Sequence, residues 1–270
     1  MDGKEWVIVV LSSIIVVLLL FNYLSNRPQQ KVVAYLSMIY ENRRSLMERY
    51  GTFLHPSPII KKKHNIIIME NVLNERFFQF LQDQVIHSSY RYKSKQFLNQ
   101  RKGTGVDFFS LLYDERYRGF LELYFSTELL DLISKVYQAP IQRVALNSSD
   151  ICSLLIYTEP GDHIGWHKDF SHYHGNRYIA LLTLVNEHQQ TKMLSANRFM
   201  YRYDGKEYSY ALPPNSLILF KGSEIWHQST AIAEKERRIL LSMTFCDTCQ
   251  EKKNIFYDIY NYAKKKVLYN

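Results

Sequence analysis

Two side chains that can bind a metal ion, His167 and Asp169, lie two residues apart in the segment YTEPGDHIGWHKDF. On a β-strand, residues i and i+2 point to the same face, so an imidazole and a carboxylate at this spacing can bind one ion side by side. A second imidazole, His227, follows in the segment EIWHQST on another predicted strand. We therefore expect His167, Asp169 and His227 to form one metal site and to be the catalytic residues.

This set of ligands indicates a particular chemistry. Two histidines and one carboxylate on one face of a metal leave the opposite positions open for a co-substrate and oxygen, as in non-haem iron(II) oxygenases. A zinc hydrolase is the alternative, since His163 and His167 have the spacing of one helical turn. That alternative is disfavoured because no glutamate follows His163 and a Pro-Gly turn precedes it.

Two basic residues, Arg237 and Arg238, begin the last predicted strand in the segment KERRILLSMTF. A dicarboxylate co-substrate needs such a cation, because a carboxylate is best held by a bidentate arginine. Strand alternation places Arg237 on a wholly apolar face. It places Arg238 on a mixed face with Leu240, Ser242 and Thr244. A polar pocket is expected on the mixed face, so Arg238 is favoured for co-substrate binding and Arg237 stays open as the alternative.

The elements that must position these residues are short strands. Segments rich in β-branched and aromatic residues follow one another from Ile151 onward, separated by turn sequences such as PGD at 160 and DGK at 204. They predict strands at 151–157, 177–185, 199–203, 207–212, 216–220, 225–230 and 238–245. Strands of this length and spacing are typical of a sandwich or barrel. Upstream, residues 65–69 are predicted to form a buried strand, and residues 71–85 and 126–137 are predicted to form helices.

Residues Ile151 to Asp247 resemble the iron(II)/2-oxoglutarate-dependent dioxygenase superfamily, especially its prolyl and lysyl hydroxylase branch. The segment IIIMENVLNERFFQFL further upstream is similar to the first strand and helix of such domains. The residues that carry the resemblance are Tyr157, the PGD turn at 160–162, His167, Asp169, Arg177, His227 and Arg238. One region departs from the family, since NEHQQTKMLSANRFMYRY stands where a Gly-Gly-Glu type of turn is common. This departure leaves the substrate open.

The resemblance implies a mainly β fold with flanking helices (α+β) around a double-stranded β-helix, or jelly-roll, core. It implies that His167, Asp169 and His227 bind Fe(II), and that the late arginine, Arg238 or Arg237, binds 2-oxoglutarate together with Tyr157. O2 is then the second co-substrate, and ascorbate is a further candidate cofactor.

The N-terminal segment has the features of a membrane anchor. No charged residue occurs from Trp6 to Asn26, and about 20 apolar residues suffice to cross a bilayer core. We expect one N-terminal transmembrane helix in residues 1–26. A juxtamembrane helix and basic linker are expected in 27–63, the dioxygenase domain in 64–250, and a basic C-terminal helix or tail in 251–270.

The expected protein crosses the membrane once, and the side of the membrane on which its domain lies stays open. Arg27 and Lys31 follow the apolar segment and favour a cytoplasmic domain under the positive-inside rule. The resemblance to prolyl hydroxylases favours a lumenal domain instead. A single glycosylation sequon at Asn147 would matter only in the lumenal case.

Composition narrows the class of protein further. With 46% hydrophobic and 22% charged residues, the chain is not of the disordered class. Its three cysteines include the C-x-x-C pair Cys246 and Cys249, whose role stays open, and no disulfide framework is predicted from them.

The predicted function is a membrane-anchored oxygenase that hydroxylates a prolyl or lysyl side chain of a protein or peptide, with decarboxylation of 2-oxoglutarate to succinate. One alternative is a nucleic-acid oxidative demethylase, which the net charge of +8 permits and the membrane anchor disfavours. The other is a catalytically silent jelly-roll binding module. The oligomeric state is open.

Overall fold

The computed structural model describes residues 45–86, 93–94, 101–146, 151–171 and 173–252, together with residues 13, 15 and 16. Four helices, α1 Glu75–Ile86, α2 Phe108–Tyr113, α3 Arg118–Phe125 and α4 Thr127–Tyr137, lie between the second and fifth strands of the chain. The strands are β1 Ile59–Lys63, β2 Ile66–Glu70, β3 Lys93–Ser94, β4 Arg101–Val106, β5 Gln142–Arg143, β6 Cys152–Tyr157, β7 His163–His167, β8 Arg177–His188, β9 Phe199–Tyr203, β10 Lys206–Tyr210, β11 Ser216–Lys221, β12 Trp226–Ser229 and β13 Glu236–Cys246.

The strands hydrogen-bond in the order β1-β2-β11-β8-β13-β6-β4-β7-β12-β9-β10, with β3 added to β4 and β5 to β13. All these pairings are antiparallel. Strand β4 joins two halves, because Thr104 to Val106 pair with β6 whereas Arg101 and Lys102 pair with β7. The sheet therefore curls at β4. On one side of the curl is a larger sheet of β1, β2, β11, β8, β13 and β6, and on the other is a smaller sheet of β7, β12, β9 and β10. This mainly β, curled antiparallel architecture is consistent with the expected jelly-roll core.

The inner strands of the larger sheet are buried on both of their faces, whereas its edge strand β1 is exposed. In β2, Ile67 and Met69 pack against the helices, whereas Ile66 and Ile68 face the space between the two sheets. Side chains alternate across a strand, so a strand covered on both sides needs an apolar residue at every position. This requirement explains the uninterrupted apolar run IIIM of β2.

Side-chain caps determine where the predicted helices begin. Ser126, the first residue of the predicted helix 126–137, accepts a hydrogen bond from the Leu129 N–H at 3.2 Å and caps α4. The other predicted helix begins later than residue 71, because the Asn74 side chain accepts from the Phe77 N–H at 2.9 Å and caps α1. The sequence did not predict β4, whose residues RKGTGV contain two glycines and no alternating pattern.

The packed domain also begins earlier than the predicted boundary at residue 64. Residues 59–63, assigned to a linker from the sequence, form β1 and pair with β2. Phe53 is fully buried, and Leu46 and Tyr50 pack against the core. Cys246 and Cys249 are joined by a disulfide, which the sequence did not predict.

No helix among the described residues is long and apolar enough to span a membrane. The predicted anchor lies outside these residues except for positions 13, 15 and 16, and so do residues 27–44 of the predicted juxtamembrane helix. Asn147 and the tail from residue 253 are outside them as well.

Candidate metal centre and adjoining cavity

His167, Asp169 and His227 form a cluster whose potential ligand atoms all lie within 4.8 Å of one another. The Asp169 carboxylate lies between the imidazoles, with Oδ1 at 3.7 Å from His167 Nε2 and Oδ2 at 3.9 Å from His227 Nε2. Strands β7 and β12 bring the histidines together, because His227 is directly opposite His167 in their pairing register. The three donors therefore surround one point at the end of the smaller sheet.

Both imidazoles are oriented by hydrogen bonds to backbone carbonyl groups. His167 Nδ1 lies 2.8 Å from the Gly165 oxygen, and His227 Nδ1 lies 3.0 Å from the Ile225 oxygen. A carbonyl oxygen only accepts, so each Nδ1 carries the proton and each Nε2 presents its lone pair to the cluster. Burial lowers the pKa of His227 to about 4, against the opposing attraction of the Asp169 carboxylate. The neutral ring that can ligate a metal is thus the form present near neutral pH.

Asp169 is positioned by a loop that the sequence did not single out. Strand β7 ends at His167, so Asp169 comes from the segment beyond it rather than from the strand that the i, i+2 argument assumed. Its backbone N–H donates to the Gly222 oxygen at 2.9 Å. A Cβ added at Gly222 would lie 2.9 Å from Asp169 Cβ and 2.8 Å from Ile179 Cγ1, and closer still to the carboxylate. Only glycine at 222 leaves room for this carboxylate.

The cluster opens into a cavity of about 150 Å³ between the two sheets. One wall is apolar and includes Ile179, Leu181, Phe199 and Phe220. The polar side chains that line the cavity are Arg101, Ser153, Tyr157, His167, Asp169, Arg177, His227, Gln228, Ser229, Arg238 and Ser242. The cavity thus holds three guanidinium groups and, among the described lining residues, a single carboxylate.

Arg238 lies in this cavity and is 1% exposed. Burial lowers the pKa of its guanidinium to about 10, so the group is still charged at neutral pH. Its Nη1 donates to Ser229 Oγ, and its Cζ lies 5.7 Å from the centre of the Tyr157 ring. Arg237 points to the opposite side of β13, where its Nη2 is 2.6 Å from Glu187 Oε1. The structure therefore brings Tyr157 and Arg238 to the cavity and leaves Arg237 outside it.

A buried polar network behind Arg238 was missed from the sequence. Asn197 Nδ2 donates to Ser229 Oγ at 3.2 Å, and the Asn197 N–H donates to Ser195 Oγ at 3.1 Å. Ser195 Oγ in turn lies 2.6 Å from Asn186 Oδ1. Ser195 and Asn197 belong to the segment that departs from the family pattern, so this segment supports the cavity arginine. Its lack of a recognisable motif concealed that role.

Two other features of the motif region have local structural roles. Asp162 of the PGD turn accepts hydrogen bonds from the backbone N–H groups of Thr158 and Glu159, each at 3.0 Å. His163 Nδ1 lies 2.8 Å from the Gly161 oxygen, and His163 is not part of the three-residue cluster. Because residues 163–167 form a strand, the helical His163/His167 pair of the zinc alternative does not exist.

We predict that Gly222→Ala lowers the affinity for divalent metal about tenfold to a hundredfold, the range for residues that orient a ligand. The reason is that the added methyl group must displace the Asp169 carboxylate. The metal affinity is measured by isothermal titration with Mn²⁺ or Fe²⁺. Gly205→Ala is the control, because it strains only its own turn, at a φ of +69°, and the added Cβ has no atom within 4 Å. Unchanged metal affinity in Gly222→Ala would contradict the positioning role.

Comparison with known proteins gives a match at the level of structure only. No protein-family model matches the sequence, and no curated protein matches it. A prolyl hydroxylase from Trichoplax adhaerens, solved with a hypoxia inducible factor peptide fragment, is similar with a TM-score of 0.50 and 13% identity, over 79% of this chain and 92% of that chain. The α-ketoglutarate-dependent epimerase SnoN from nogalamycin biosynthesis has a TM-score of 0.51 and 13% identity, over 76% of this chain and 82% of its own.

A third similar structure, AviO1 from Streptomyces viridochromogenes, has a TM-score of 0.50 and 12% identity, over 78% of this chain and 98% of its own. The alignments cover most of each partner, so they include the whole curled sheet rather than a shared fragment. The chain has the fold of the iron(II)- and 2-oxoglutarate-dependent oxygenases, prolyl hydroxylases among them.

Proposed function

We propose that the protein is an iron(II)- and 2-oxoglutarate-dependent oxygenase that hydroxylates a prolyl or lysyl side chain of a protein or peptide. The observation that carries the proposal is a three-ligand cluster, open to a cavity in which a buried guanidinium has no acidic partner among the described residues. The similar Trichoplax protein is a prolyl hydroxylase with a peptide, and this likeness favours a peptide substrate.

The residues of the cluster fit iron(II). Two neutral imidazole nitrogens and one carboxylate are the donor set of non-haem iron(II) oxygenases. His167, Asp169 and His227 would hold the ion, and their common position at one end of the cavity leaves the cavity side for other ligands. Iron(II) bound there would supply the oxygen chemistry that couples decarboxylation of 2-oxoglutarate to hydroxylation.

The residues of the cavity also fit 2-oxoglutarate. Arg238 is buried, yet no carboxylate among the described residues pairs with it, and its hydrogen bond goes to a neutral serine. The buried Tyr157 hydroxyl has no hydrogen-bond partner among the described residues. A buried charge and a buried hydroxyl are costly without partners, and a ligand carboxylate can satisfy both groups at once. Arg238 and Tyr157 would therefore orient the distal carboxylate of the co-substrate.

The two alternative functions are less well supported. A silent binding module gives no reason to keep a complete donor set beside a buried, unpaired arginine. A nucleic-acid demethylase shares the chemistry and differs in substrate, and it is supported only by the net charge of +8. Ascorbate stays a candidate additive for assays, and the described residues offer no separate argument for it.

We predict that anaerobic addition of iron(II) and 2-oxoglutarate to the full chain in detergent produces a visible charge-transfer absorption band. Because Asp169 is one of three ligands, Asp169→Ala should abolish the band and the oxygen-dependent production of succinate. Glu224→Gln is the control, since this carboxylate lies two residues after Gly222 on the segment between β11 and β12 but pairs with Lys221 at 3.3 Å. A wild-type chain without the band would refute the proposed function.

We predict that Arg238→Met raises the 2-oxoglutarate concentration for half-maximal turnover about tenfold to a few hundredfold. The lost charge-assisted hydrogen bonds contribute about 1.5–3 kcal/mol, and about 1.4 kcal/mol corresponds to a factor of ten. Arg237→Met should leave this concentration nearly unchanged, because Arg237 pairs with Glu187 outside the cavity. For both variants, this concentration is obtained from initial rates of succinate formation at increasing 2-oxoglutarate.

Thermal unfolding separates a binding role of Arg238 from a structural one. Arg238 is buried and pairs with no acidic residue in the described part of the chain, so removing its charge should not destabilise the ligand-free protein. The stabilisation by added 2-oxoglutarate should instead disappear in Arg238→Met and persist in Arg237→Met. If 2-oxoglutarate instead stabilises Arg238→Met and no longer stabilises Arg237→Met, Arg237 is the residue that binds the co-substrate.

We also propose that residues 1–26 anchor the protein in a membrane as one helix, on the strength of the uncharged segment from Trp6 to Asn26. We predict that the full chain resists extraction from membranes by carbonate. A chain beginning at Ser45, where the residues that pack on the core start, should be extracted. Release of the full chain would contradict a spanning helix. Glycan at Asn147 would place the domain in the lumen rather than in the cytoplasm.

A further inference from the structure

Arg101 is another cation of the cavity, and it has no part in the proposed binding of 2-oxoglutarate. It is the first residue of β4, at the point where this strand passes from the larger to the smaller sheet, opposite Ile164. Its face of β4 continues with Gly103 and Gly105. A Cβ added at Gly103 would lie 3.1 Å from the Tyr157 ring, so this face is directed at the cavity wall.

The two glycines leave space for the Arg101 side chain along the strand. A Cβ added at Gly105 would lie 3.5 Å from Arg101 Nη2, which shows that the guanidinium extends back over β4. The group is partly buried and lines the same cavity as the three-ligand cluster. It is thus held beside Tyr157 rather than extended into solvent.

Arg101 has no acidic partner among the described residues, and its buried Nε has no hydrogen-bond partner there. The sequence around it offers none either, because no acidic residue occurs between Asp83 and Asp107. The basic residues in that interval are Arg91, Lys93, Lys95, Arg101 and Lys102. Neither its own strand nor the stretch of sequence between Asp83 and that strand therefore contains a counter-charge for Arg101.

The charges in the cavity favour one more anion. Iron(II) and 2-oxoglutarate, when both are bound, would cancel each other's charge, and Asp169 offsets one of the three guanidinium groups. Arg238 is assigned to the co-substrate, and Arg177 donates to the Phe170 oxygen at 2.7 Å and to Thr244 Oγ1 at 3.4 Å. The cavity then keeps a net positive charge. Arg101 is the guanidinium of the cavity to which neither the co-substrate nor these hydrogen bonds have been assigned.

From this geometry we infer that Arg101 binds an acidic side chain of the peptide substrate, next to the residue that is hydroxylated. The inference rests on the proposed function and adds the substrate class, an acidic peptide. A carboxylate suits a partly buried guanidinium better than a neutral carbonyl group, since charge-assisted bidentate hydrogen bonds offset the loss of solvation of both groups. Discrimination against basic peptides follows from the same charge.

The test uses the full chain in detergent and two positionally degenerate peptide libraries, one centred on proline and one on lysine. Each is made in three versions, with Asp and Glu, with Asn and Gln, or with Lys at the positions flanking the centre. Labelled libraries are titrated against the iron(II)- and 2-oxoglutarate-loaded protein without oxygen, and binding is read by fluorescence anisotropy. Hydroxylated product is then measured by mass spectrometry after oxygen is admitted.

We expect the acidic library with the correct centre to bind about tenfold to a hundredfold more tightly than its amide counterpart, as for one charge-assisted contact. Arg101→Gln should remove this preference, and Arg101→Glu should reverse it toward peptides with flanking lysines. Lys102→Gln is the matched control. It removes the adjacent positive charge, but Lys102 Nζ donates to the Pro160 oxygen at 2.6 Å and does not line the cavity.

The charge-transfer band separates failure of this inference from failure of the proposed function. A wild-type chain without the band refutes the oxygenase itself. A normal band with equal binding of acidic and amide libraries overturns the role of Arg101 alone. A band that needs much more 2-oxoglutarate in Arg101→Gln, without peptide, also overturns it, because Arg101 would then serve the co-substrate.

Discussion

The pairing of His227 with His167 across β12 and β7 is the constraint on which the candidate site depends. Side chains alternate along a strand, so a shift of one residue in this pairing would turn one imidazole away from the cluster. Strand β9 holds β12 from the other side, with Tyr201 opposite His227. The register of three strands therefore decides whether two distant histidines can share one ion.

Burial has opposite consequences for the two kinds of polar group in the cavity. It keeps the His227 ring neutral, which suits a metal ligand, whereas it encloses the charged Arg238 guanidinium with no acidic partner from the residues that the structure describes. The second effect costs stability in the ligand-free protein. Ser229, held by Asn197, offsets part of that cost and fixes the direction of the guanidinium. An anionic ligand would recover the rest, so an arrangement unfavourable for folding alone is favourable for binding.

Strand β4 has a corresponding role for the fold and for the charge of the cavity. It hydrogen-bonds to β6 with its last residues and to β7 with its first, and so closes the curl of the sheet. Gly103 and Gly105 allow it to approach Tyr157 and the Leu154 backbone oxygen closely. Larger residues at these positions would both open the sheet and displace Arg101. The same small residues that weakened the strand signal in the sequence are therefore required by the packing.

Local patterns were sufficient for the regular elements. The predicted strands at 151–157, 199–203 and 216–220 correspond closely to β6, β9 and β11, because apolar alternation and turn residues mark them directly. The start of the predicted helix 126–137 was equally accurate, because its first residue is the one that caps α4. Strands β1 and β4 were not, since one is basic and exposed and the other is rich in glycine, and only pairing with neighbours makes them strands.

The sequence by itself determined the three residues of the cluster and the side of β13 that faces the cavity, since His-x-Asp, a later His and strand alternation are local properties. Only the tertiary structure decided that Asp169 is placed by Gly222, that Ser229 and Asn197 hold Arg238, and that Arg237 pairs with Glu187. Each of these contacts joins segments far apart in the chain. Their geometry depends on the curl of the whole sheet, which no local pattern encodes.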